Sequence, residues 1–405
     1  MSIIALALDL VLDAGCSLRG AAAAMATFFQ HFFDSIATPC FSTIRAWLLR
    51  VGLYALTKPL DRTKPWLWLI DHTIQSGAQK ILVILGCPMD QVPFGQRVLQ
   101  LSDLQLIALV PMDVSNGDAV ERELENAALR RTGVPRLIVS DQGSDLLKGI
   151  GDYGDIRPKT CHVPDAAHYG ANLLKHAWND QPRWQQFGQQ LQDTSAKLRQ
   201  TKTAFLLPPR TRAKARFMNV AAQLRFAGRL LKHLDSEAPH AKALESYGWL
   251  TEFRDDLTVW HREHGLVQTA IDLVRVDGLH RGSGPLLEKA WGEIGPRESE
   301  QRIAAKLREY VVTYQSKTLG ERFVASTEIL ESSFGKLKRI EGQQSQDGVT
   351  GLVLAIGAML GNPTEEDLKE ALEETPQKQV DGWLERTLGP TMQWLRRQFF
   401  RQNKP

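Results

Sequence analysis

Glu331 and Lys338 stand two helical turns apart in the segment Ser326-Thr-Glu-Ile-Leu-Glu-Ser-Ser-Phe-Gly-Lys-Leu-Lys338. That spacing puts both side chains on one side of a helix. The carboxylate offers a hard oxygen ligand, and the ammonium a point charge for a phosphate. Two aspartates extend the set: Asp71 directly follows the apolar run Trp66-Leu-Trp-Leu-Ile70, and Asp141 directly follows Arg136-Leu-Ile-Val-Ser140. Three convergent carboxylates are what Mg²⁺ or Mn²⁺ wants, with positions left for water and phosphate. Two such ions, about 3.5–4 Å apart, would activate an attacking oxygen and stabilise a leaving one in an in-line displacement at phosphorus. Each residue also has an ordinary use. Glu and Lys at helical spacing make a solvated face, and an Asp after a strand makes a turn or a helix cap. Asp145, beside Ser144, reads as such a helix-end residue. Glu328 competes for the third carboxylate position, but its partner two turns on is Gly335 whereas Glu331 reaches Lys338, which selects Glu331.

The elements that must carry these residues follow from the hydrophobic pattern. Residues 66–70, 80–85 and 104–110 are short apolar runs separated by polar turns with Gly77, Gly86 and Pro88, and they predict three consecutive buried strands. A helix over 118–131, ended by Gly133 and Pro135, leads to a fourth strand at 136–140. A short helix from Ser144 then precedes a fifth strand near 160–163. The order β-β-β-α-β-α-β is that of an α/β RNase H-like core, in which the first and fourth strands are central neighbours. From about 167 to 325 only helical patterns recur, so a large all-α insertion interrupts the core before the Glu331 helix, which closes the order as a final α.

Upstream, residues 1–60 read as a small helical domain. Ser17 is a helix cap ahead of an alanine-rich run, and Ser42 caps a second helix whose apolar stripe is Ile44, Trp47, Leu48 and Val51. Gly52 is expected to stop that helix. Thr43, Arg45 and Arg50 fall mainly on its other side, a pattern that suits a helix-turn-helix as well as a plain helical hairpin. The expected divisions are therefore 1–60, helix-turn-helix-like; 61–168, first part of the core; 169–325, all-α insertion; 326–360, the Glu331 helix; and 361–405, a helical tail.

The bulk properties describe an ordinary globular chain: 405 residues, 43% hydrophobic, 23% charged, net charge +3. The charge matters by its placement. Lys197, Arg199, Lys202, Arg210, Arg212, Lys214 and Arg216 form one basic stretch, and Arg396, Arg397, Arg401 and Lys404 another. Four scattered cysteines without a CxxC pair argue against a zinc knuckle or a disulfide framework and fit a reducing cytosol. Asp9 and Asp13 interrupt the apolar amino terminus, which lacks a basic start, so no signal peptide is expected. No apolar run approaches the ~20 residues of a membrane span. A Rossmann-like small-molecule enzyme is disfavoured, because the strand region holds no glycine-rich phosphate loop.

Taken together, Trp68-Leu-Ile-Asp71-His-Thr, Leu137-Ile-Val-Ser-Asp141-Gln-Gly-Ser-Asp and Glu331 with Lys338 resemble the catalytic signature of DDE transposases of the bacterial insertion-sequence type. Asp165-Ala-Ala-His168 is similar to the (Cys/Asp)-x-x-His element that follows the second Asp in several transposase superfamilies, and the helical block resembles the insertion of hAT-like members. The similarity covers about residues 15 to 345. It implies Mg²⁺-dependent cleavage at the ends of a mobile element and strand transfer into target DNA. Asp71, Asp141 and Glu331 would hold two Mg²⁺ ions, replaceable by Mn²⁺. Lys338 would contact DNA near the cut, with Asp165 and His168 positioning DNA or bracing the core. Thr43, Arg45 and Arg50 would read terminal inverted repeats, and Arg210, Arg212 and Lys214 would track phosphates. Trp178, Trp184 or Trp260 would stack on an extruded base, unless they are core. The resemblance further implies a homo-oligomer on paired double-stranded DNA ends, and a cytoplasmic, nucleoid-associated location without membrane contact. Two related readings stay open: an RNase H-like nuclease without strand transfer, and a catalytically inactive, transposase-derived DNA-binding protein.

Overall fold

The computed structural model describes residues 2–33, 37–76, 79–210, 216–342, 349–390 and 392–402. The chain divides into two compact units, one of residues 1–93, 97–163 and 327–405, the other of residues 94–96 and 164–326. Three helices open the first unit: α1 (Ser2–Leu12), α2 (Leu18–Phe32) and α3 (Phe41–Thr57). Ser17 caps α2 by accepting from the Gly20 amide at 2.8 Å. Two expectations about α3 need correction. Cys40, not Ser42, holds its cap position, and Gly52 does not end it. Gly52 sits inside the helix because the α3 backbone there runs against Leu354, where any Cβ would collide with the Leu354 carbonyl.

The sheet follows, with β1 (Trp66–Ser76), β2 (Gln79–Pro88) and β3 (Gln105–Met112), then α4 (Gly117–Ala127), β4 (Leu137–Ser140), α5 (Ser144–Ile156) and β5 (Cys161–Pro164). Its strand order is β3-β2-β1-β4-β5. β1 runs antiparallel to β2 and parallel to β4, which makes a mixed sheet with β1 at its centre. The apolar runs form strands because both faces are covered: Trp66 to Ile70 are at most 1% exposed. One face packs Trp68, Ile70, Leu82, Ile84 and Ile138 against Val120 and Leu124 of α4 and Leu146 and Ile150 of α5. Each such side chain contributes about 1.5–3 kcal/mol by leaving water. The expected single helix over 118–131 ends as α4 and widens into a π-helical turn, Ala128–Thr132, before Gly133 at φ 78°.

The second unit is helical: α6 (Ala166–Trp178), α7 (Pro182–Leu198), α8 (Val220–Leu234), α9 (Ala241–Tyr247), α10 (Arg254–Val276), α11 (Ser283–Trp291) and α12 (Glu298–Ser316). Its core is aromatic. Trp178, Trp184, Phe187, Phe253 and Trp260 are at most 2% exposed, and the Trp184 and Trp260 rings meet edge to face at 4.8 Å. The Trp178 indole donates to the buried Glu263 carboxylate, whose pKa burial pushes up.

The chain returns to the first unit with α13 (Glu328–Glu341), α14 (Ala355–Ala358), α15 (Glu365–Glu374), α16 (Gln377–Thr387) and α17 (Met392–Gln402). Leu330, Phe334 and Leu337 fall at i, i+4 and i+7 and form the buried stripe of α13. That stripe packs α13 against β1 and α14, while α14, α15 and α16 all pack on α3. Among the described residues no helix is long and apolar enough to cross a membrane.

Candidate functional site

Asp71 and Asp141 are set by strand register. Parallel pairing of β1 with β4 ends at Ile70 opposite Ser140, so the next residue on each chain is an aspartate. Neighbouring strands lie ~4.8 Å apart, so the backbones of the two aspartates leave the paired region side by side. Alternation puts Asp71 on the face opposite α4 and α5, with residues 67 and 69, whereas Asp141 lies past the end of β4 in the loop that opens α5. Asp71 does not end its strand as expected. β1 continues to Ser76, because the antiparallel partner β2 pairs with it from Asp71 opposite Val83 to Ser76 opposite Gln79. The Asp141 loop is tightly held. The Gly143 amide donates to Asp141 Oδ1 at 3.0 Å. The Ser140 hydroxyl donates to the Asp141 carbonyl at 2.9 Å and lies 2.9 Å from His162 Nε2 on β5.

Glu331 and Lys338 are both exposed on α13. At 100° per residue they sit within about 20° of each other, on the flank of the buried stripe. Glu328 is half-buried in the same first turn. The acidic first turn and the basic last turn, Lys338 and Arg339, suit the helix dipole. Among the described residues no three His, Cys, Asp or Glu side chains stand close enough together to hold a metal ion. Asp71 and Asp141 follow the last paired residues of β1 and β4, and Glu331 stands on a helix packed against β1.

A polar cluster that pattern reasoning missed adjoins the aspartates. Ser115 Oγ donates to Asp145 Oδ2 at 2.6 Å and lies 3.1 Å from His72 Nε2. Since its single proton is committed to the carboxylate, the hydroxyl accepts from His72, which places the imidazole proton on Nε2. Lys80 Nζ donates to the same Asp145 oxygen at 3.1 Å. Burial pushes the Asp145 carboxyl up, but the Ser115 and Lys80 bonds and the nearby His72 and Lys80 charges outweigh it, and its pKa falls below the usual value. Burial lowers the His72 pKa against the opposing pull of Asp145. Asp145 is therefore more than a helix-end residue. Its position four residues after Asp141 was the only sequence signal, since Lys80 and Ser115 come from other segments.

The remaining candidates are placed as follows. Asp165 is 1% exposed, caps α6 by accepting the His168 amide at 2.6 Å, and holds His168 Nδ1 at 3.0 Å, the capping and bracing arrangement. The open outer face expected for Thr43, Arg45 and Arg50 is a correction. Arg50 donates to the carbonyls of Thr375, at 2.6 Å, and Leu372, so it closes the C-terminal end of α15. Arg45 is half-buried, and burial lowers its pKa against the nearby Asp381. Thr43 Oγ1 lies 3.1 Å from Cys40 Sγ. These residues are engaged within the unit because α3 is its central helix rather than a peripheral one. Arg210 is exposed, while Arg212 and Lys214 lie outside the described residues. Trp178, Trp184 and Trp260 are core side chains, closed to a stacking base. Comparison with protein-family models and with curated proteins finds no match.

Proposed function

We propose that this chain is a DDE-type DNA transposase with an RNase H-like core, acting on the phosphodiester backbone of double-stranded DNA. The observation that supports the reading is the register of β1 and β4, whose parallel pairing ends at Ile70 opposite Ser140, one residue before each aspartate. In open sheets with parallel strands, chemistry collects at the carboxyl ends of the strands. Asp71 and Asp141 would hold Mg²⁺ or Mn²⁺, with Glu331 as the third carboxylate. Bound there, the cations supply an activated attacking oxygen and neutralise charge at the scissile phosphate. Lys338, beside Glu331 on α13, would contact a phosphate or terminal base next to the cut. Asp165 and His168 brace the start of α6 rather than touch the reacting atoms. Transposases join paired ends, so a homo-oligomer on DNA is part of the proposal.

One observation favours a second reading, a transposase-derived DNA-binding protein without catalysis: the three carboxylates do not converge. Cleavage decides between the two. With Mg²⁺ and supercoiled plasmid carrying the element ends, the wild type should nick. Asp71→Asn and Asp141→Asn should lower the rate at least ~10³-fold, a loss of about 4 kcal/mol of transition-state stabilisation, with duplex binding retained. Nicking by Asp71→Asn at the wild-type rate would remove the metal assignment. Absence of nicking by the wild type, with binding intact, selects the second reading. Strand transfer of pre-cut ends separates a transposase from a nuclease.

A further inference from the structure

The Asp145 cluster lies on the opposite face of the sheet from α13. Lys80 has the same parity along β2 as Leu82 and Ile84, which pack against α4 and α5, and it reaches Asp145 in the first turn of α5. Asp71 and Asp141 follow directly on the last paired residues of β1 and β4. Beyond the end of β4, Lys80 and Asp145 therefore join β2 to the start of α5 next to the loop that carries Asp141.

We propose that Lys80, held by Asp145 and Ser115, is a second phosphate-binding group of the site, gripping the DNA backbone on the α4–α5 side of the Asp71–Asp141 pair. This rests on the DNA reading above. The Lys80 side chain is 34% exposed, and among the described residues its ammonium has one hydrogen-bond acceptor, Asp145, at 3.1 Å. An ammonium carries three donors, so two are left for an anion. Asp145 is 14% exposed and is fixed from two further sides, by the Ser115 hydroxyl at 2.6 Å and by the Leu146 amide at 3.1 Å. A flexible lysine tethered to a fixed carboxylate has lost most of the rotamer freedom that phosphate binding would otherwise have to remove. Asp145 is thus a positioning residue, and the anion it serves is a phosphodiester.

The test is binding of a labelled random-sequence duplex of about 30 bp between roughly 50 and 200 mM salt, followed by anisotropy. Lys80→Gln should lower the slope of log K against log salt by about one, and weaken binding about tenfold near 0.1 M salt. Lys80→Arg should restore both. Asp145→Asn should keep the wild-type salt slope but bind a few-fold more weakly, because the untethered ammonium must be ordered on binding, and should nick more slowly because the backbone is no longer registered. If the wild type does not nick, the Lys80 slope decides alone. A Lys80→Gln slope equal to that of the wild type, with melting temperature unchanged, overturns the assignment and leaves the DNA reading standing. So does joint loss of binding and thermal stability in Asp145→Asn, the mark of a merely structural residue. A wild type that binds no duplex sinks the DNA reading, and Lys80 with it.

Discussion

Glu341 ends α13 with a carboxyl oxygen that is buried and has no hydrogen-bond partner among the described residues. Burial raises its pKa to about 7, only partly offset by Lys338. The folded chain therefore keeps a proton that the unfolded chain releases above its ordinary value of 4.5. The contribution to stability is fully present below that value and is lost as pH rises toward about 7. Glutamine mimics the protonated form. Glu341→Gln should match the wild type near pH 4.5 and exceed it at pH 8, by about 1–3 kcal/mol. Thermal melts across this range check it, and a difference independent of pH would contradict the burial argument. At this scale the sequence showed Asp71 and Asp141, because each interrupts an apolar run. It did not show the Lys80–Ser115–Asp145 contacts, which join three segments with no shared spacing.

The element scale is where expectation and structure part most clearly. Apolar runs located the first four strands, because a strand covered on both faces leaves a continuous hydrophobic signature, while β5, with half-buried Cys161 and His162, has none. Gly52 was misread, since a glycine that ends a helix and one that admits a neighbouring backbone look the same locally. Here α14 crosses α3: a Cβ on Gly357 would stand 2.6 Å from the Gly52 carbonyl, just as one on Gly52 would meet Leu354. Two effects then oppose each other in Gly52→Ala. Helix propensity favours alanine by about 0.8–1 kcal/mol, whereas forcing apart two packed backbones costs roughly 1–3 kcal/mol. The second should win, lowering stability by about 1–2 kcal/mol in chemical denaturation. A stabilised variant would show that α3 and α14 can separate freely. Arg50 was misread for a related reason: its acceptors, Leu372 and Thr375, lie more than 300 residues away, and helical periodicity carries no trace of them.

At the scale of the whole molecule, the helical block has its own aromatic centre and forms a compact unit of residues 94–96 and 164–326. Its tryptophans do structural work. Trp260→Ala should cost about 3–5 kcal/mol, seen as a lower melting temperature. The emission of the buried tryptophans should stay blue-shifted and unquenched when duplex is added. Quenching on DNA addition would reopen a base-stacking role. A helical pattern without strands was readable from composition alone. Which tryptophans face inward was not, because a helical tryptophan has the same local sequence in a core and on a binding face.

β1 outruns β4 by six residues, from Asp71 to Ser76. Over that stretch the strand is laced to a neighbour on one side only, so alternate peptide groups face away from any β4 partner. From Asp71 onward β1 is thus one arm of a two-stranded ribbon with β2. The buried run from Trp66 to Ile70 pairs with β2 throughout and with β4 from Leu67, and Asp71 is the first residue after it to be held by β2 alone. A carboxylate mounted on such a hem has, among the described residues, no strand on its β4 side, a latitude that a residue in the middle of the weave would lack.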